Sequence, residues 1–245
     1  MTTIDTHATL AALVNARPVL AAALDRVGLD YCCGGRRTLA EAVHAAGLDL
    51  DTVVDALTEL TSLSVAEPVV AADDWTAMSP VELVDHLEAT HHAYLREALP
   101  RATTLADKVA SVHAERHPEL DLVARLVTEL RAELEPHLAK EERILFPMIR
   151  ELDAATQAPQ FHCGSLANPI RVMGIEHDHA GELLAHLRAA TAGYTVPADG
   201  CASYQALYAA LADLEADTHL HVHKENNLLF PAVLAAEATL GGYPR

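Results

Sequence analysis

The sequence contains one chemically loaded pattern twice. His137-x-x-x-Glu141-x-x-x-Leu145-Phe146-Pro147 recurs as His221-x-x-x-Glu225-x-x-x-Leu229-Phe230-Pro231 with identical spacing. Residues four apart lie one turn above each other on a helix, so each histidine and its glutamate point the same way. The direction follows from the flanking residues. Val123, Leu126, Leu130, His137, Glu141, Ile144 and Met148 form one apolar stripe at helical spacing, and Leu207, Leu211, Leu214, His221, Glu225, Leu228 and Ala232 form another. A carboxylate inside such a stripe is costly without a compensating charge. Two of them, each beside an imidazole, imply a cation in the core. Solvated His–Glu pairs on two exposed helix faces are the alternative, but the coincidence of two identical pairs on two apolar stripes weighs against it.

A further histidine-bearing helix precedes each copy, with His92 45 residues before His137 and His177 44 residues before His221. His177 shares a stripe with Met173, Ala180, Leu184 and Leu187. Four imidazoles and two carboxylates are too many for a tetrahedral zinc site, and no thiolates stand at zinc-finger spacing. Calcium and magnesium prefer all-oxygen shells. Mixed nitrogen and oxygen ligands suit iron or manganese. Two bridging carboxylates and four imidazoles, with an oxo or hydroxo bridge, still leave open positions on two six-coordinate ions. Open positions on iron imply chemistry on oxygen, nitric oxide or peroxide.

Helices must position these residues. Alanine and leucine dominate and aromatics are only 4%, a mixture that favours helix over strand. Residues 7–27 read as one helix ended by Gly28. Asp30-Tyr31-Cys32-Cys33-Gly34-Gly35-Arg36-Arg37 is a turn-rich loop, and Thr38-Leu39-Ala40-Glu41 is a capping box that starts a second helix, stopped by Gly47. Asp49 or Asp51 caps a third helix running to about residue 63. Residues 64–74 lack periodicity. The expected organisation is therefore a small helical domain over 1–65, a linker over 66–78 and a bundle over 79–240. Ser79-Pro80-Val81-Glu82 opens the bundle with a capping box and proline at the first helical position. Its four helices are expected near 80–99, 119–151, 168–192 and 203–237. The prolines, Pro100 among them, are expected to kink or end their helices. The loop at 154–168, with His162 and Cys163, has no functional reading. The fold class is all-α, with an antiparallel four-helix bundle.

Composition excludes other classes. A net charge of −18 gives no electrostatic reason to bind nucleic acid. No apolar run approaches the ~18–20 residues of a membrane span. Four cysteines in 245 residues, and an N-terminus without a basic stretch or apolar core, suggest a reducing cytoplasm.

Together these motifs resemble the hemerythrin-like bundle and, more narrowly, the repair-of-iron-centres family of iron–sulfur cluster repair di-iron proteins. The resemblance covers almost the whole chain. Asp30 to Gly35 followed by Thr38-Leu39 is similar to that family's N-terminal domain. Asp85-His86 with His92, His137 to Glu142, Glu176-His177-Asp178, and His221 with Glu225-Asn226-Asn227 are similar to its ligand motifs. It implies the ligands His92, His137, Glu141, His177, His221 and Glu225, with the two glutamates bridging two non-haem irons. On the first bundle helix the residues point elsewhere: the face of Leu83, Val84, Leu87, Tyr94 and Leu95 is centred on His91, whereas the family motif selects His92.

Neighbouring residues carry weaker signals. Glu133, one turn before His137, reads as a second acceptor or proton relay or as a surface acid, and Glu176 resembles an acidic family position near the site. His219 and His223 fall on other faces and read as surface residues. Arg36, Arg37 and the helix start at Thr38 are expected to favour the thiolate of Cys32 or Cys33. A bond between adjacent cysteines would be strained and easily reduced, which suits a switch. The resemblance assigns the pair a redox or iron-relay role. Cys163 and Cys201 read as structural. The implied function is repair of clusters damaged by nitric oxide or oxidants, by iron donation, nitric oxide reduction or both, with damaged iron–sulfur proteins as partners and a homodimer as the assembly. A hemerythrin-type carrier or sensor of oxygen or nitric oxide is the alternative, and a zinc or manganese hydrolase is a remote third.

Overall fold

Pro18 breaks the first expected helix in two. Proline has no amide hydrogen to donate and forces the residue before it into an extended conformation. Helix α1, Leu10–Ala16, accordingly ends at Arg17, with φ −151° and ψ 90°, and α2, Leu20–Val27, follows it. Gly28 then stops α2 at φ 70°, a left-handed conformation that suits glycine. The computed structural model describes residues 4–64, 75–157 and 159–241, so most of the expected linker over 66–78 lies outside the described residues. No strand occurs among the described residues; an isolated antiparallel bridge joins Thr9 and Thr38.

The capping box forms as read. The Thr38 hydroxyl accepts from Glu41 N at 3.2 Å, and Glu41 Oε2 accepts from Thr38 N at 2.9 Å, opening α3, Leu39–Ala45. Of the two candidate caps for α4, Leu50–Ser64, Asp49 is the one used: its Oδ1 accepts from Thr52 N at 2.9 Å. The chain divides into two compact units, Met1–Ser79 with His219–Pro231, and Pro80–Thr218 with Ala232–Arg245.

In the second unit the helices α5 (Pro80–Leu87), α6 (Ala93–His113), α7 (Glu119–Lys140), α8 (Phe146–Asp153) and α9 (Ala167–Ala190) appear in order. Helix α10, Ala202–Lys224, and α11, Phe230–Thr239, complete the chain, and the division between units at residue 218 falls inside α10. Buried Leu99, Val109, Val123, Leu130, Leu184, Leu187, Leu207 and Leu211 form the core of this four-helix bundle. Pro100 does not end its helix, contrary to expectation. Leu95 and Leu99 before it and Ala102 and Ala106 after it are buried in the same core, and that burial outweighs one missing backbone bond.

Three times the α-helix gives way to a five-residue π turn: Glu88–His92, Glu141–Leu145 and Glu225–Leu229. A π turn places residue i+5, not i+4, above residue i. Each therefore moves the buried stripe on by one residue. Ile144, expected inside, is 46% exposed, and Leu145 is 1% exposed in its place. Likewise Leu229 and Val233 are buried, whereas Leu228 is half-buried and Ala232 exposed. Pro147 and Pro231 sit at the second residue after their π turns, where the turn has already rearranged the bonding that a proline would interrupt.

The loop without a functional reading has a structural one. Buried Glu237 accepts from the Ser165 hydroxyl at 2.8 Å and from Leu166 N at 3.0 Å, which places a carboxylate at the start of α9, where the helix dipole favours it. Replacing Glu237 with alanine leaves those donors buried and is expected to lower unfolding free energy by about 2–3 kcal/mol, measured by denaturant titration. A loss below about 0.5 kcal/mol would show that the loop is held by other contacts.

Candidate metal centre

In the second unit four buried residues converge. His137 closes α7 and Glu141 opens the π turn after it, and His137 Nε2 lies 3.4 Å from Glu141 Oε1. The other oxygen of the same carboxylate, Oε2, lies 3.4 Å from Nε2 of His92, at the end of the first π turn. His177, on α9, sets its Nε2 3.1 Å from His137 Nε2. All four residues are buried to within 1%.

Outer carboxylates fix the rings. His137 Nδ1 donates to Glu176 Oε2 at 2.9 Å, and His92 Nδ1 donates to Glu142 Oε1 at 2.8 Å. Lys140 pairs with Glu176, and Arg96 with Glu142. The hydrogen bond from His137, aided by Lys140 and opposed by partial burial, pulls the Glu176 carboxyl down to about 2. It stays ionised at any physiological pH and keeps the His137 proton on Nδ1. Phe146 stacks on His92, with ring centroids 5.4 Å apart, and covers that ring from solvent.

At the end of α10 His221 Nε2 lies 3.3 Å from Glu225 Oε1, both residues fully buried. This pair, in the first unit, repeats the His137–Glu141 arrangement of the second.

This donor set fits a metal. With Nδ1 of His92 and His137 engaged as donors, each ring in its neutral form would turn a lone pair on Nε2 toward a Glu141 oxygen. Acceptor facing acceptor is repulsive, and a carboxylate in a dry core is costly without a compensating charge. Cations between them convert every repulsion into attraction. Bonds of about 2.1 Å to one ion place neighbouring donor atoms about 3.0–3.4 Å apart, which is the spacing seen here. The outer carboxylates supply the orientation that metal-binding imidazoles require.

Of the six expected ligand residues, the structure brings His92, His137, Glu141 and His177 together in the second unit and His221 and Glu225 together in the first, and His92, not His91, faces Glu141. His91 is buried too, but its Nδ1 donates to Asp217 Oδ1 at 2.8 Å. Because His92 is five residues beyond Leu87 across a π turn, it takes the place that α-helical extrapolation gives to His91. Glu133 is a correction. It is exposed, since Leu134 and His137 set the buried edge of α7 and Glu133 stands about 100° from Leu134 around the axis. Glu142 was missed. The only signal was a second acid directly after Glu141.

Cys32, Cys33 and the end of α10 lie in the first unit. Cys32 is buried, Cys33 partly so, and both are free thiols with their sulfurs 4.0 Å apart. Asp30 Oδ1 accepts from Cys32 N at 3.0 Å and Cys33 N at 2.9 Å, and with the two sulfurs it forms a group of possible ligands. The expected lowering of the thiol pKa is overturned at Cys32. Its hydrogen bond with Cys33, then burial, then the nearby Cys33 and Asp30 charges push it well up, while Arg36 and Arg37 point into water.

Asn227 Nδ2 donates to the Cys32 carbonyl at 2.9 Å, and Asn226 Nδ2 lies 4.0 Å from Cys33 Sγ. Gly35 permits this approach, because a Cβ there would meet Tyr31 O at 2.5 Å and Asn227 Oδ1 at 2.9 Å. His223, expected at the surface, is fully buried against Tyr31 O at 3.2 Å and Asn15 at 2.8 Å, and burial lowers its pKa to about 4. His219 is half-buried beside Asp25. Their partners stand nearly two hundred residues away in sequence, beyond the reach of periodicity.

Residues 83–233 match the Hemerythrin HHE cation binding domain, and residues 6–61 match a domain of unknown function, DUF542. The chain is 37% identical over 229 residues to the iron–sulfur cluster repair protein YtfE of Enterobacter sp. (strain 638), covering 93% of this chain and 97% of the relative. It is 36% identical to proteins of the same name from Escherichia coli O81 (strain ED1a) and Cronobacter sakazakii (strain ATCC BAA-894), covering 90% of this chain and 93% of each relative.

Proposed function

Since the chain belongs to the hemerythrin HHE cation-binding family and to the iron–sulfur cluster repair proteins, we propose that it repairs damaged iron–sulfur clusters through two non-haem iron ions held by His92, His137, Glu141, His177, His221 and Glu225. The observation that carries this reading is the fully buried Glu141 carboxylate, whose two oxygens face two different imidazoles, those of His137 and His92, at 3.4 Å each, as a bridging carboxylate would. Such a pair supplies one-electron redox chemistry, open positions for nitric oxide, oxygen or peroxide, and iron that can be given up to a client protein.

The chain's own residues do the rest. Glu176 and Glu142 hold the imidazoles in the ligating tautomer, and Phe146 shields His92 from water. Cys32 and Cys33 stand against the residues that directly follow Glu225, a placement suited to passing electrons or iron. A carrier of oxygen or nitric oxide has no use for such a pair. Clients are iron–sulfur proteins of the same compartment, and no helix among the described residues is long and apolar enough to cross a membrane.

The test is metal analysis with an absorption spectrum, followed by reactivation of an iron–sulfur enzyme inactivated by nitric oxide. About two irons per chain with oxo-bridged ferric bands, and recovery of the client, are expected. The Cys32→Ala/Cys33→Ala variant should keep its iron and spectrum and lose most of the repair. Zinc alone, or an unfilled site after iron supplementation, would overturn the metal assignment. Full repair by the cysteine variant would remove the thiols from the mechanism.

A further inference from the structure

The bundle holds a second cysteine arrangement that the metal centre does not use. Cys201, the residue before the start of α10, is an exposed thiol. Its Sγ lies 3.2 Å from Nε2 of His113, the last residue of α6. His113 is only 6% exposed, and its Nδ1 is buried without a hydrogen-bond partner. The edge of Tyr204 packs on the ring at 5.6 Å between centroids, and the Tyr204 hydroxyl is held by that of Tyr208 at 3.1 Å. The hydrogen bond that this buried imidazole makes thus goes to the sulfur of an exposed residue. A histidine that merely fills a core satisfies its nitrogens with interior partners. One locked in place with a nitrogen on an accessible thiol is the arrangement of an activated nucleophile.

We propose that Cys201 is a reactive thiol that exchanges with low-molecular-weight disulfides, with His113 as its proton acceptor. Nε2 takes the Sγ proton as Sγ attacks one sulfur of the disulfide. The reagent's S–S bond breaks while a bond between Cys201 and that sulfur forms. The departing sulfur leaves with the bonding electron pair and receives the proton from Nε2. One thiol and one disulfide enter and leave, so the exchange needs no further oxidant, and His113 ends as it began. The product is a mixed disulfide at the head of α10, a reversible modification that an oxidising stress would install and a thiol reductant remove.

The test uses the full-length protein with excess oxidised glutathione at one neutral pH. The rate of adduct formation at Cys201 and at Cys163 is read by peptide mass mapping, in the folded protein and after unfolding in urea. Folded Cys201 is expected to react about tenfold faster than the same residue in the unfolded chain. Exposure alone cannot produce that result, because unfolding exposes every thiol. Cys163, whose Sγ contacts the Ser165 carbonyl at 3.6 Å, is expected to react more slowly folded than unfolded. His113→Gln should remove most of the advantage at Cys201 and leave Cys163 unchanged. The proposal fails if folded Cys201 reacts no faster than unfolded Cys201. It fails equally if a folded His113→Gln protein, its helicity checked by circular dichroism, reacts as fast as the parent.

Discussion

Replacing Glu141 with leucine is expected to empty both metal positions, not one. Its two oxygens face two different imidazoles, those of His137 and His92, at 3.4 Å each. With two irons held as proposed, its loss would remove a charge and a bond from each ion at once. Iron should fall from about two per chain to below about 0.5, and Glu225→Leu should behave alike. A single imidazole nitrogen can ligate only one ion, so the loss of a histidine should leave the other position partly filled. Stability distinguishes a lost ligand from a lost fold. Without metal, the parent keeps the Glu141 carboxylate fully buried, an unfavourable arrangement that an apolar residue of similar volume relieves. Glu141→Leu should therefore melt above the metal-free parent while failing to take up iron. Near-normal iron in that variant would dissolve the bridging assignment.

How far such residues can be read without coordinates depends on where their constraints lie. His137, Glu141, His221 and Glu225 are legible because their constraint is local: an i, i+4 spacing, repeated, inside an apolar stripe. The capping box at Thr38 and Glu41 is legible for the same reason. Pro18 breaks a helix and Pro100 does not, although both remove one amide donor. Leu95, Leu99, Ala102 and Ala106 hold the backbone around Pro100 in a core made mostly by other helices, and that is not a local property. Cys32 shows the same limit. Neighbouring arginines suggest a stabilised thiolate, yet the protein buries the sulfur against Cys33 and Asp30 and leaves the arginines in water. His223 and Asn227 are set by contacts with Asn15, Tyr31 and Cys32 at the far end of the sequence.

The second large effect separates two adjacent histidines. His92→Ala is expected to reduce iron to about one per chain or less, whereas His91→Ala should keep about two, since His91 bonds to Asp217 and His92 faces Glu141. The physical reason is the π turn Glu88–His92. An α-helix carried on from Leu83, Val84 and Leu87 would aim residue 91 at the centre, four residues past Leu87. The π turn holds one residue more and aims residue 92 there. A deletion tests this argument directly. Thr90 is exposed on that turn, and removing it leaves His92 four residues past Leu87 along the shortened chain. If the turn is an α-helix with one inserted residue, the deletion variant reverts to α-helical bonding, still presents His92 to Glu141, and keeps about two irons per chain. Loss of iron in a deletion variant that stays helical would mean that the π geometry itself, and not only the register it sets, is needed to aim the ligand.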